Sequence, residues 1–215
     1  MSKVEMPMFG NFFVYKNKGV FITGDEDIGK GSIVLEMHDE KGAQVSLTEA
    51  HFFTFLDKKS VVVANPIHPD DVINNDLIKT LVKRLNGFSI ENKTEKIKNI
   101  LEKEFKQPPN LIYPGIELTH FIFLVKEETK DKTKKPEFIK YNSFSEWERS
   151  GCTYEAAKKS KAEVMFNEII RLLFQHKIQI CKLVKPVYTQ LFKNSKITQY
   201  YLKETADLLE KELKK

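Results

Sequence analysis

The sequence predicts an α+β protein: an N-terminal, mainly antiparallel sheet with packed helices, followed by an all-helical basic C-terminal subdomain. Three observations carry this. Runs of β-branched and aromatic residues fill the chain up to Ala64 and return between Thr119 and Tyr141. Apolar residues recur at helical spacing beyond Thr153. The basic charge collects in the last third, where no Asp or Glu occurs from Ile169 to Lys203. The expected units are 1–150 and 151–215, with the second free to pack on the first.

Taken in order, Asn11 to Ile22 is two β-type runs around Asn17-Lys18-Gly19, which predicts a hairpin. Ser32–Met37 and Gln44–Leu47 flank His38-Asp39-Glu40-Lys41-Gly42 and predict a second. Thr48 is placed to cap a short helix bearing Phe52, Phe53 and Leu56. Ser60–Ala64 is a strand of buried type. Pro69-Asp70-Asp71 opens a helix with the stripe Ile73, Leu77, Leu81, Val82 and Leu85, closed by Asn86-Gly87. Asn92 and Glu95 pair as a capping box ahead of Ile97, Ile100, Leu101 and Phe105.

Thr119–Lys126 and Glu137–Tyr141 are strands, joined by a polar connector from Glu127 to Pro136 that predicts a mobile projecting loop. Ser143–Ser150 predicts a short helix carrying Trp147. Thr153–His176 predicts a long one, through Val164, Ile169, Ile170, Leu173 and Phe174. Ile178–Phe192 predicts a second helix, kinked or restarted at Pro186. Ser195 or Thr198 caps a third, with the stripe Leu202, Ala206, Leu209 and Leu213.

A chain of 215 residues that is 41% hydrophobic and 30% charged is neither disordered nor fibrous. No run approaches the ~18–20 apolar residues of a membrane span, and the first ten residues hold no apolar segment of a secretory signal. Two cysteines, Cys152 and Cys181, are too few for a disulfide framework and suit a reducing compartment. A cytoplasmic protein, or a virion component within a host cytoplasm, is therefore expected.

The net charge of +5 is unevenly spread. Residues from Gly151 onward carry a net +6, and the preceding 150 a net −1. In the acid-free stretch, Arg171, Lys177, Lys182, Lys185, Lys193, Lys196 and Lys203 alternate with aromatic side chains. Clustered cations with exposed aromatics suit nucleic acid or an acidic protein partner. Tyr113, on the stiff segment Gln107–Gly115, and Tyr200 and Tyr201 are candidate protein-interface residues.

Gly24-Asp-Glu-Asp-Ile-Gly29-Lys30-Gly31 matches GxxxxGK, the pattern of a phosphate-binding loop. Gly31 stands where such a loop has Ser or Thr, and Asp25, Glu26 and Asp27 place carboxylates where phosphates would lie. Ser32-Ile-Val-Leu-Glu reads as a strand where the loop requires a helix. A glycine-rich strand connection is therefore the expected reading.

Val61-Val-Val-Ala-Asn-Pro-Ile-His68-Pro69-Asp70-Asp71 resembles the strand-then-HPDD signature of the zinc-dependent N-acetylglucosaminyl deacetylases. That resemblance implies zinc ligation by His68 and Asp71, with Asp70 as the base. Val72 stands where that family has Glu, and His120 and His176 are isolated. Helix capping by Pro-Asp-Asp is the competing reading. Cys152 precedes a helix whose dipole would favour a thiolate, while Cys181 reads as core.

With no catalytic constellation in view, the expectation is a non-enzymatic structural or assembly component of a larger complex, such as a phage or viral particle. It would bind protein partners through the basic C-terminal helices, with no cofactor and no membrane association. Nucleic-acid binding by the same helices and zinc hydrolysis at His68–Asp71 are the alternatives.

Overall fold

The computed structural model describes residues 4–26, 28–46, 50–56, 60–64, 116–131, 133–154, 161–188 and 195–215. They form strands β1 (Val4–Phe9), β2 (Asn11–Tyr15), β3 (Lys18–Thr23), β4 (Gln44–Val45), β5 (Ala50–Leu56), β6 (Ser60–Ala64), β7 (Ile116–Thr129), β8 (Glu137–Tyr141) and β9 (Gln179–Tyr188). The helices are α1 (Lys30–Lys41), α2 (Phe144–Arg149), α3 (Lys161–Gln175) and α4 (Ser195–Leu213). A mixed sheet with four helices among the described residues agrees with the α+β class. The predicted helices between Pro69 and Phe105 lie outside the described residues, as does Tyr113.

The centre of the sheet is parallel. β7 pairs in parallel with β3 on one edge, from Val20↔His120 to Thr23↔Phe123. On its other edge β9 runs alongside from His120↔Gln179 to Thr129↔Tyr188. The antiparallel pairs lie outside this core: β2 on β3, β8 on β9, and the β1–β5–β6 group, which joins β7 only at Ile116 and Glu117. The expectation of a mainly antiparallel sheet therefore describes the margins.

Two apolar layers sandwich it. On one face α1 and α4 cover Phe13, Val20, Ile22, Ile122, Leu124, Cys181 and Leu183. On the other, α2 and α3 cover Phe121, Phe123 and Ile180 with the fully buried Trp147. The β1–β5–β6 group closes over this second face, where Phe53 meets the edge of Phe21 at 4.8 Å between centroids.

The hairpin expected at Asn11–Ile22 forms as β2–β3, with its turn at Lys16 (φ 49°) and Asn17 (φ 63°). Two positive φ values in succession match the right-handed twist of the flanking strands. The strands at Ser60–Ala64, Thr119–Lys126 and Glu137–Tyr141 also form, as does the short helix of Trp147, capped by the Ser143 hydroxyl, which accepts from the Glu146 N–H. The expected long helix is seen as α3 over Lys161–Gln175, with 155–160 outside the described residues, and Ser195 begins α4.

Three element assignments fail, each in a segment rich in apolar residues: Ser32–Met37, Phe52–Leu56 and Ile178–Phe192. Ser32–Met37 lies in α1. Ile33, Val34, Leu35 and Met37 are all buried because α1 is covered by the sheet on one side and α4 on the other. A helix apolar on nearly every side has no visible 3.6-residue period. Its end is set by Gly42, whose N–H reaches the His38 carbonyl, so the apparent hairpin turn is a helix cap. Phe52, Phe53 and Leu56 belong to β5, paired with β1 and β6, and the expected cap Thr48 lies outside the described residues.

The largest correction concerns Ile178–Phe192: Gln179–Tyr188 is strand β9, so the C-terminal part is not all-helical. Ile180, Cys181, Leu183 and Val184 are buried on both sides, as in a strand covered by helices above and below. Pro186 is accommodated because β8 stops pairing at Val184, leaving that edge without a ladder partner among the described residues. The Glu127–Pro136 connector is correspondingly shorter, since β7 extends to Thr129 alongside β9.

Acidic α4 residues are consumed in docking to α1. Glu210 accepts from the Tyr15 hydroxyl at 2.7 Å and pairs with Lys41 at 3.2 Å and Lys214 at 2.7 Å, while Lys41 also meets Asp207. Hydrogen bonds from Lys214, then Tyr15 and Lys41, hold the Glu210 carboxyl at about 2, below its ordinary 4.5. A depressed carboxylate stabilises the fold above its unfolded value and loses that contribution as pH falls toward the folded one. Glu210→Gln should therefore flatten the pH dependence of the melting temperature between about pH 4.5 and 2, measured by thermal unfolding monitored by circular dichroism. An unchanged slope would remove Glu210 from the acid response. Among the described residues no helix is long and apolar enough to cross a membrane.

Candidate functional site

At the C-terminal end of β3 the chain is held firmly. Thr23 is buried, donates to the Phe9 carbonyl at 2.7 Å and shares a hydrogen bond with the Tyr154 hydroxyl. Gly24 follows at φ 144°, where a Cβ would lie 2.4 Å from the Leu124 carbonyl oxygen of β7. No side-chain-bearing residue fits so close to the neighbouring strand. Asp25 is partly buried and Glu26 is exposed, Ile28 folds back into the core, and Gly29 at φ 91° starts α1.

The start of α1 is prepared for a negative charge. No side chain caps it and its first turn contains no acid. Orphan N–H groups and the positive end of the helix dipole therefore face the Gly24–Gly31 loop, whose Asp27 lies outside the described residues. Lys30, the first helical residue, turns back and donates to the carbonyls of Gly24 (3.1 Å) and Asp25 (2.7 Å), closing the loop on itself.

A second lysine arrives from across the sheet. Lys185 of β9 donates to the Ile28 carbonyl at 3.1 Å. Its Nζ stands 2.7 Å from where a Gly29 side chain would begin, so Gly29 admits it. Burial first, and then the charge of Lys126, push the Lys185 ammonium below its ordinary value. Among the described residues no carboxylate pairs with Lys30 or Lys185. The loop thus lies at the carboxyl ends of the parallel strands β3, β7 and β9, where open sheets with helical crossovers bind their ligands.

This arrangement reverses the expectation for Gly24–Gly31. The segment after it is a helix, so a strand, a GxxxxGK loop and a helix N-terminus occur in the order a phosphate-binding loop requires. Magnesium, which such loops commonly hold through Ser or Thr after the lysine, does not fit this donor set. Gly31 brings no hydroxyl, and β7 beside the loop continues through Val125 to Lys126. Among the described residues no cluster of three His, Cys, Asp or Glu could hold a metal.

The remaining candidates disperse. Arg171 is on α3, paired with Glu168 and lying over the Phe144 ring at 4.6 Å. Lys177 is exposed just beyond α3, and Lys203 is exposed on α4 across the sheet. Strand alternation puts Lys182 on the side of Ile180, opposite Lys185. These positions make no single basic face, because the stretch is a strand between two helices. Lys196 lies in the first turn of α4, Tyr200 further along it, and Lys193, His68, Asp70 and Asp71 lie outside the described residues. Tyr201 is buried in the fold, which removes it as a free interface residue. Cys152 is buried with its Sγ 3.7 Å from the Tyr141 hydroxyl, and burial pushes the Cys181 thiol up to about 12.

β3, the Gly24–Gly31 loop and α1 form a strand–glycine loop–helix unit. No family model matches the sequence, and no curated protein matches it. Among solved structures it is similar to the Hpr(Ser) kinase/phosphatase from Coxiella burnetii, with 15% identity and a TM-score of 0.42. The match covers 96% of this chain and 99% of that one. So distant a likeness assigns no activity. It does not lead to a virion or assembly subunit, and the expectation of a non-enzymatic structural component from a phage or virus is corrected on this finding. What replaces it rests on the geometry of the loop.

Proposed function

We propose that the chain is a nucleotide-binding protein whose Gly24–Gly31 loop and α1 N-terminus hold the phosphates of a nucleoside di- or triphosphate. One observation carries the reading: a GxxxxGK loop bridges a parallel strand to a helix whose first turn is uncapped and free of acid. Backbone N–H groups of that turn would donate to phosphate oxygens. Lys30 would exchange two carbonyl acceptors for charged ones, which are roughly twice as strong. Glu26 is exposed to solvent, Asp25 is partly buried, and Asp27 lies outside the described residues. The reaction such a cradle serves is phosphoryl transfer, in which positioning and charge neutralisation dominate.

Calorimetric titration of ATP and GTP into the full chain tests this. Wild-type protein should bind at least one of them. Lys30→Ala should weaken it by roughly 10- to 100-fold, the equivalent of one lost charge-assisted hydrogen bond. Its circular dichroism should stay unchanged, because Lys30 supports no core contact. Equal affinities for the two proteins, or no binding by wild type, would reject the reading.

A further inference from the structure

Asn11 opens β2 fully buried, and neither its Nδ2 nor its Oδ1 has a hydrogen-bond partner among the described residues. A buried amide with both ends idle is costly, and folded proteins almost always satisfy such a group. Strand alternation turns Asn11 to the face of Phe13, and Ile22 stands opposite it in β3 on that same face. α1 covers this face. Tyr15, at the far end of β2, and Lys41, at the far end of α1, both meet Glu210, so Asn11 and the first turn of α1 share the opposite end. Gly24 follows two residues after Ile22 and is diagonal to Asn11, a spacing of roughly 7–8 Å between Cα atoms that a side chain can bridge. The carbonyls Asn11 could use there are occupied. Lys30 donates to those of Gly24 and Asp25, and Lys185 to that of Ile28.

We propose that Asn11 is a positioning residue of the Gly24–Gly31 loop that exchanges with Lys30. When the Lys30 ammonium leaves the Gly24 and Asp25 carbonyls, the Asn11 Nδ2 donates to one of them, and its Oδ1 accepts from an N–H of the same segment. The idle amide is thus the spare partner of a loop whose own lysine is its present clasp. What draws Lys30 away rests on the nucleotide-binding reading; the exchange itself is testable without a nucleotide.

The test is a double-mutant cycle in denaturant unfolding of the full chain: wild type, Asn11→Leu, Lys30→Ala and the double variant. Leu has a similar branched shape and no polar atom. Asn11→Leu alone should leave the folding constant unchanged or raise it, because it removes an unpaired amide. Lys30→Ala should cost little in wild type, where Asn11 takes over a carbonyl. In the Asn11→Leu background the same substitution should lower the folding constant by roughly fivefold or more beyond that. Additive effects would overturn the proposal. So would a loss of about tenfold or more from Asn11→Leu alone, the sign of an amide that is already satisfied.

A second measurement keeps Asn11 in place, so a Leu variant that fails to fold leaves the proposal open to refutation. The side-chain amide proton resonances of Asn11 should move downfield in Lys30→Ala relative to wild type, as a new hydrogen bond forms. A merely structural asparagine would not respond to the loss of Lys30. No movement would overturn the proposal and leave the nucleotide reading standing. Movement in a chain that binds neither ATP nor GTP would support the exchange and remove the nucleotide reading alone.

Discussion

Gly24→Ala should abolish phosphate binding and destabilise the fold by about 2–6 kcal/mol, from steric overlap and a φ that only glycine adopts readily. The new Cβ would stand 2.4 Å from the Leu124 carbonyl oxygen and 2.6 Å from the Ile28 side chain. The first is backbone in the central strand and cannot step aside. Relief must come from moving the loop off β7, which takes Lys30 and the α1 N-terminus out of register with each other. Gly42→Ala is the matched control. Gly42 also has a positive φ, 71°, but nothing lies within 4 Å of its added Cβ. It should cost about 1 kcal/mol and leave binding unchanged. Denaturant unfolding and nucleotide titration of both variants check this, and equal effects would show that the contact with Leu124 is unimportant.

The second large effect is expected far from the loop. Trp147 is fully buried under α2, edge-on to Phe123 at 5.8 Å and Tyr141 at 5.3 Å, with Phe166 of α3 at 6.2 Å. Trp147→Ala should cost about 3–5 kcal/mol, as cavity-forming aromatic truncations do. α2 is held to the sheet chiefly by this ring, so the near-ultraviolet dichroism and the unfolding midpoint should both collapse. Trp147→Phe should retain more than half of the stability, because most of the contact area survives. A loss below about 1 kcal/mol for the alanine variant would mean that α2 does not depend on Trp147 for its seat.

Legibility in the sequence followed the degree of one-sided burial. The β2–β3 hairpin was readable because Lys16-Asn17 is a short polar break between two β-type runs. The α2 helix was readable because Ser143 supplies a cap at the right spacing from Glu146. By contrast Ile33–Leu35 and Ile180–Val184 carry buried apolar residues on both sides, and Phe53 and Phe55 are buried in β5. Apolar residues clustered in this way are compatible with a helix or a strand. The wrong choice at Ser32–Met37 had the heaviest functional cost, because it removed the helix that makes GxxxxGK a binding loop. The wrong choice at Gln179–Tyr188 turned a strand that sends lysines to opposite faces into a basic helix with a single face.

What the sequence determined by itself is local: the α+β composition, the hairpin and caps, the GxxxxGK spacing, and the withdrawal of acid from Ile169 to Lys203. Each depends on residues a few positions apart, where backbone sterics and capping hydrogen bonds act. The tertiary structure alone decided that β9 enters the sheet beside β7 and that α1 follows the loop. It also decided that Lys185, 156 positions after Gly29 in the chain, donates its proton to the carbonyl just before that glycine. That meeting is created by burying two apolar faces of one sheet. Such burial has no direction along the chain, so no spacing in the sequence records it.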